Sequence, residues 1–121
     1  GLVSLACFDS RDFTFVADAV RANLLASTAP GASGKVLNIG AGVRHTLNQT
    51  LAVLGEILGY QPEPRYEAPR PGDVRHSLAD ISEARRILGY EPLVGFEEGL
   101  RRTIEWYREN LADPDTRGGA A

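Results

Sequence analysis

The chain has 121 residues, 43% of them hydrophobic and 24% charged, with a formal net charge of −3. That length makes one domain or one piece of a domain, able to bury roughly two thirds of its unfolded surface, and the acidic balance gives no basic field for nonspecific nucleic-acid binding. The single cysteine, Cys7, leaves no internal disulfide and no multi-cysteine metal site; no apolar run approaches membrane-spanning length and no signal peptide is visible, so a cytoplasmic protein is the default expectation.

Residues 1–10, GLVSLACFDS, are mildly apolar without a clear period, and fit either a short strand or the raw edge of a longer chain. Arg11 to Val16, RDFTFV, alternates polar with aromatic or β-branched residues and predicts a strand. From Asp18 the period changes. Val16, Val20 and Leu24 recur every four residues among alanines, which predicts a helix to about Ser27, stopped at Pro30-Gly31. Val36 to Ile39 is a short apolar strand leading into Gly40-Ala41-Gly42. Thr46 and Gln49 have capping-box spacing ahead of a helix with an apolar stripe at Leu47, Leu51, Leu54 and Leu58, ended by Gly59. Gln61 to Pro69 is proline-rich and predicted to be extended, and Val74 to Leu78 is a candidate short strand. Asp80 or Ser82 caps a third helix carrying Ile81, Ala84 and Leu88, stopped by Gly89 with Pro92 beyond it. Phe96, Leu100, Thr103, Tyr107 and Leu111 mark the last helix, with Trp106 beside the stripe. The spacing favours core packing for Trp106 and Tyr107, and residues 113–121 read as a disordered tail.

Chemistry concentrates in Pro69 to Asp80, PRPGDVRHSLAD. Pro69 and Pro71 stiffen the backbone around Arg70, Gly72 permits a sharp turn, and Asp73 is close enough to orient the guanidinium. A planar guanidinium held on a short rigid loop suits bidentate bonding to phosphate or carboxylate, and it suits a structural ion pair equally. Arg11, at the start of a strand, is a second candidate; two such arginines would clamp a diphosphate if they meet in space. The strand–GxG–helix from Val36 to Leu58 departs from a dinucleotide fingerprint, since His45 stands where the third glycine would allow close helix–strand packing. His45 and His76 lack the spacing of a metal site, no GxSxG surrounds any serine, and the carboxylates are too scattered to name an acid/base pair.

These motifs together resemble the extended short-chain dehydrogenases/reductases of the NAD-dependent epimerase/dehydratase family. RDFTFVAD (residues 11–18) resembles their RDF element, VLNIGAG their NxGxG strand and loop, RPGDVRHSLADISEARRILGYEP (residues 70–92) their R-x-GD…LG-x-P block, and FEEGLRRTIEWYREN their closing helix. GVRHTLNQ and GDVRHSLADIS look most like the UDP-N-acetylglucosamine/UDP-glucose 4-epimerase branch. The family's GDG-x-Q element has no counterpart, the chain reading SLACFDS there, and neither the glycine-rich NAD fingerprint nor the catalytic YxxxK is present: no tyrosine is followed four residues later by Lys35, the one lysine. The resemblance implies the C-terminal, substrate-binding portion of an α/β, Rossmann-type enzyme over residues 1–112, with short strands, about four helices and no NAD-binding core. It implies Arg11 and Arg70 on the diphosphate of a UDP-sugar, Asp73 orienting Arg70 or touching the ribose, and Phe13 packing near the nucleotide. No NAD would be bound by this chain alone. The expected partners are a UDP-sugar and the missing NAD-binding domain or a second copy of the chain, with neither nucleic acid nor membrane. Three roles follow: an epimerase/dehydratase part inactive by itself, a stand-alone nucleotide-sugar-binding module or subunit working with a separate NAD-binding chain, or a ligand-free folded remnant.

Overall fold

The computed structural model describes residues 3–6, 9–61, 63–67, 72 and 76–111. In chain order these form β1 (Val3–Ala6), β2 (Ser10–Arg11), α1 (Val16–Thr28), β3 (His45–Thr46), α2 (Leu47–Leu58), β4 (Pro64–Glu67), α3 (Ser82–Leu88) and α4 (Phe96–Leu111). β1 and β4 run parallel, with Val3 opposite Pro64 and Ala6 opposite Glu67. β2 and β3 run antiparallel, with Ser10 opposite Thr46 and Arg11 opposite His45. An isolated parallel bridge joins Ser10 to His76 on the other side of β2.

The helices form where propensity and end signals agree. α1 is rich in alanine and leucine and ends where Ala29, held extended by the following Pro30, cannot continue it. α2 starts with the complete capping box: Gln49 N–H donates to Thr46 Oγ1 at 3.0 Å and Thr46 N–H donates to Gln49 Oε1 at 2.7 Å. Gly59 closes it in the left-handed region at φ 80°. Asp80 serves the start of α3, its Oδ1 accepting from Ser82 N–H at 3.0 Å and Ser82 Oγ at 2.7 Å. These two donors hold the Asp80 carboxyl below its usual range.

The buried cluster is Ala22 of α1 with Ile81, Ala84, Leu88 and Tyr90, backed by Leu25, Ala29, Leu37, Ile39 and Ile87. Tyr90 is fully buried, and its hydroxyl donates to the Gly40 carbonyl at 2.6 Å. Burial pushes the Tyr90 pKa up. Asp18 is a second anchor, 2% exposed. It accepts from Leu93 N–H at 2.9 Å, Val94 N–H at 3.2 Å and Arg21 Nη2 at 3.0 Å. Burial opposes its ionisation, but the amide donors and Arg21 outweigh that cost and hold the carboxyl below its usual range. Arg21 also donates to the Glu91 carbonyl, so α1 fixes the whole approach to α4.

Four sequence expectations change here. The strand at Arg11 to Val16 shrinks to Ser10–Arg11, because β3 offers only two residues of ladder and Asp12 turns away to bond backbone amides; α1 begins already at Val16. Leu37 and Ile39 face inward while Val36 and Asn38 face out, so the stretch alternates as a strand would. Among the described residues it has no ladder partner, so it is no strand. The Val16, Val20 and Leu24 stripe lies outward, 67%, 52% and 65% exposed, because α1 turns Asp18, Ala22 and Leu25 to the core instead. Trp106 and Tyr107 are also exposed and pack edge-on against each other at 5.2 Å: α4 runs past this small core and buries only Gly99 fully, against the Phe15 ring. Val74 and the tail from residue 113 lie outside the described residues, as do Arg70 and Asp73. Among the described residues no helix is long and apolar enough to cross a membrane.

Candidate functional site

β2 is the centre of the site. Its two residues are held on both sides, by β3 and by the bridge to His76, and the Asp9 carbonyl before it accepts from Leu47 N–H at 2.9 Å. Arg11 therefore leaves a short but well-tied strand end. Its side chain is 33% exposed. Nη1 donates to the Ser10 carbonyl at 2.8 Å, and Nη2 lies 3.8 Å from the buried Asp9 carboxylate. The group is thus oriented and still reachable from solvent, as a guanidinium that receives an anion must be.

An aromatic ladder flanks this arginine. His45, directly across the antiparallel pair, projects from the same sheet face as Arg11. Its ring stacks on Phe96 with centroids 3.8 Å apart and planes 7° apart. Phe13, two residues beyond Arg11, meets the same Phe96 ring at 5.5 Å and 47°. Beside Phe13 a cavity of about 150 Å³ opens between residues 13–15 and the first turns of α4, lined by Phe15, Val94, Phe96 and Leu100. Arg11 and His45 thus share one sheet face, and the Phe13–Phe96 pair beside the small hollow links to it through the His45 ring.

Of the four residues singled out from sequence, Arg11 and Phe13 come together here. Arg70 and Asp73 fall outside the described residues. Asp12 was not singled out, yet it organises the loop opposite. It accepts from Ala41 N–H at 3.0 Å, Gly42 N–H at 2.9 Å and Ala79 N–H at 3.2 Å. The one signal for it was an aspartate beside a candidate arginine, with a Gly-Ala-Gly loop of donors far along the chain. His45 and Phe96 were also missed, because stacking across 51 positions has no local signature.

The described residues do not fit a dinucleotide. The amides of Ala41 and Gly42, which a pyrophosphate would need, already donate to Asp12, and His45 stands where the third glycine of a dinucleotide fingerprint would be. Glycine at position 40 serves packing: a Cβ there would lie 2.6 Å from the Ala79 Cβ and 2.6 Å from Asp12 Oδ2.

The class this architecture defines is α/β, four helices with short strands among the described residues, matching one portion of Rossmann-type enzymes. No family model matches the chain. It is 36% identical over 100 residues to a UDP-glucose 4-epimerase of Mycolicibacterium smegmatis, a match covering 83% of this chain and 32% of that protein. Among solved structures, the UDP-glucose 4-epimerase of Thermotoga maritima with UDP-glucose superposes with a TM-score of 0.83 at 45% identity, covering 90% of this chain and 35% of that one. MoeE5 in complex with UDP-glucuronic acid and NAD superposes with a TM-score of 0.84 at 36% identity, covering 90% and 37%. The chain belongs to the NAD-dependent epimerase/dehydratase family. It spans about a third of the length of the curated relatives it matches.

Proposed function

We propose that this chain is the sugar-nucleotide-binding part of an NAD-dependent sugar epimerase or dehydratase, and that its ligand is a UDP-sugar. The observation that carries this reading is Arg11: an oriented, solvent-reachable guanidinium at a strand end, beside the Phe13–Phe96–His45 ladder. The relative solved with UDP-glucose, 45% identical, supports it. Arg11 and Arg70 take the diphosphate, Asp73 orients Arg70 or touches the ribose, and Phe13 packs near the nucleotide. Epimerisation needs a tyrosine–lysine pair and bound NAD. These 121 residues hold no YxxxK, and their glycine loop is committed to Asp12, so turnover requires an NAD-binding part. The outward stripe of Val16, Val20 and Leu24 and the unladdered stretch 36–39 support the packing of that part, or of a second copy, against this side.

Calorimetric titration with UDP, UDP-glucose and NAD tests the reading. UDP and UDP-glucose bind, more weakly as salt rises, and NAD does not. Arg11→Ala removes charge-assisted bonds of about 1.5–3 kcal/mol each, a loss of roughly tenfold or more in affinity. Equal binding of NAD and UDP, or an Arg11→Ala variant that binds UDP as the parent does, overturns it.

A further inference from the structure

We propose that His76 is the positioning residue for Arg11 and acts through Ser10. The proposal rests on the reading of Arg11 as the anion-binding group. Ser10 Oγ and His76 Nδ1 are 2.6 Å apart. Ser77 N–H donates to the Ser10 carbonyl at 3.1 Å, and the same carbonyl accepts from Arg11 Nη1 at 2.8 Å. One peptide group therefore receives the segment 76–77 on one side and the guanidinium on the other. Ser10 is 5% exposed while His76 is exposed, so the histidine ring closes a buried hydroxyl from outside.

Arg11 needs this support. Its side chain has several rotatable bonds and lies on a two-residue strand whose ladder to β3 ends at the same residue. The Ser10 carbonyl is one of the groups that direct the guanidinium, alongside the Asp9 carboxylate at 3.8 Å. Backbone pairing with Ser77 fixes that carbonyl along the strand, and the side-chain bond to His76 adds a second point that stops the peptide plane from rotating. Without His76 the Ser10 hydroxyl is left buried and unpaired, and it regains a partner only if β2 moves. His76 lies outside the Ala22–Ile81–Tyr90 core, so its loss displaces Arg11 while the chain stays folded, at a modest cost in stability.

The test uses the ¹⁵N-labelled chain and the guanidinium region of its NMR spectrum, with the Arg11 signals assigned by their loss in Arg11→Lys. His76→Ala and Ser10→Ala each broaden or shift the Arg11 Nη signals while the chain still unfolds in a single cooperative transition. His76→Asn, whose side-chain amide places a hydrogen-bonding atom near the former Nδ1, restores them. UDP affinity, measured in parallel, falls at least fivefold in His76→Ala and recovers in His76→Asn. Arg11 signals unchanged in both alanine variants overturn the proposal, and so does loss of the fold in both, which makes the pair purely structural. If Arg11 responds to His76 while the parent binds no UDP, the positioning stands and the proposed ligand falls. If UDP binding depends on Arg11 but not on His76, the proposed function stands and the positioning falls.

Discussion

Asp18→Asn isolates the charge that ties α1 to the segment entering α4. The carboxylate is 2% exposed and takes two backbone N–H donors, from Leu93 and Val94, and one guanidinium donor, from Arg21. Asparagine keeps one acceptor oxygen but turns an NH₂ group toward donors, so at least one bond is lost and Arg21 loses its counter-charge. Hydrogen bonds to a charged group contribute about 1.5–3 kcal/mol, and an unpaired buried donor costs about 1–3 kcal/mol. A loss of about 2–4 kcal/mol at pH 7 follows, a large share of the ~5–15 kcal/mol that holds a domain together. The pH dependence identifies the charge as the cause. Asp18 has its folded pKa below the unfolded one, so its contribution is fully present above the unfolded value of about 3.9 and is lost as pH falls through the folded value. Urea unfolding followed by Trp106 fluorescence at pH 7 and again near pH 3 measures both. The gap between parent and variant is wide at pH 7 and narrows in acid. A gap under about 0.5 kcal/mol at pH 7, less than one ordinary hydrogen bond, or a gap that does not change with pH, refutes the reasoning.

Two further substitutions probe the Gly40 corner. Gly40→Ala puts a methyl 2.6 Å from both the Ala79 Cβ and Asp12 Oδ2, and forced overpacking of that kind costs about 1–3 kcal/mol; a denaturation midpoint equal to the parent's would show that the loop does not approach so closely. Tyr90→Phe removes the donor to the Gly40 carbonyl and leaves that acceptor buried, for a loss of about 1–3 kcal/mol by the same titration. Because burial raises the folded pKa of Tyr90, its hydroxyl adds stability that is fully present below the unfolded value near 10 and is lost as pH rises beyond it. The parent should therefore lose stability above pH 10 more steeply than the phenylalanine variant.

The sequence by itself determined the helices and their ends, because those depend on near neighbours. The Thr46–Gln49 capping box and the Gly59 and Gly89 stops act within four residues and stand as the sequence predicts, whereas the cap expected at Asp80 or Ser82 falls on Ile81, with Asp80 bonding Ser82 N–H from the turn before the helix. The family resemblance was legible as well, since the RDF element and the long block after residue 70 are linear patterns. Tertiary structure alone decided the rest. Val36 to Ile39 has the composition of a strand, but a strand exists only with a ladder, and no described residue supplies one. Val16, Val20 and Leu24 have helical spacing, but which face of α1 turns inward was settled by Asp18 and its distant donors at Leu93 and Val94. The contacts around Arg11, though not its own bonds to Ser10 and Asp9, follow the same rule. Asp12 on the glycine loop, His45 on Phe96 and His76 on Ser10 each join residues 28 or more positions apart, and no local chemistry announces such a meeting before the chain has folded.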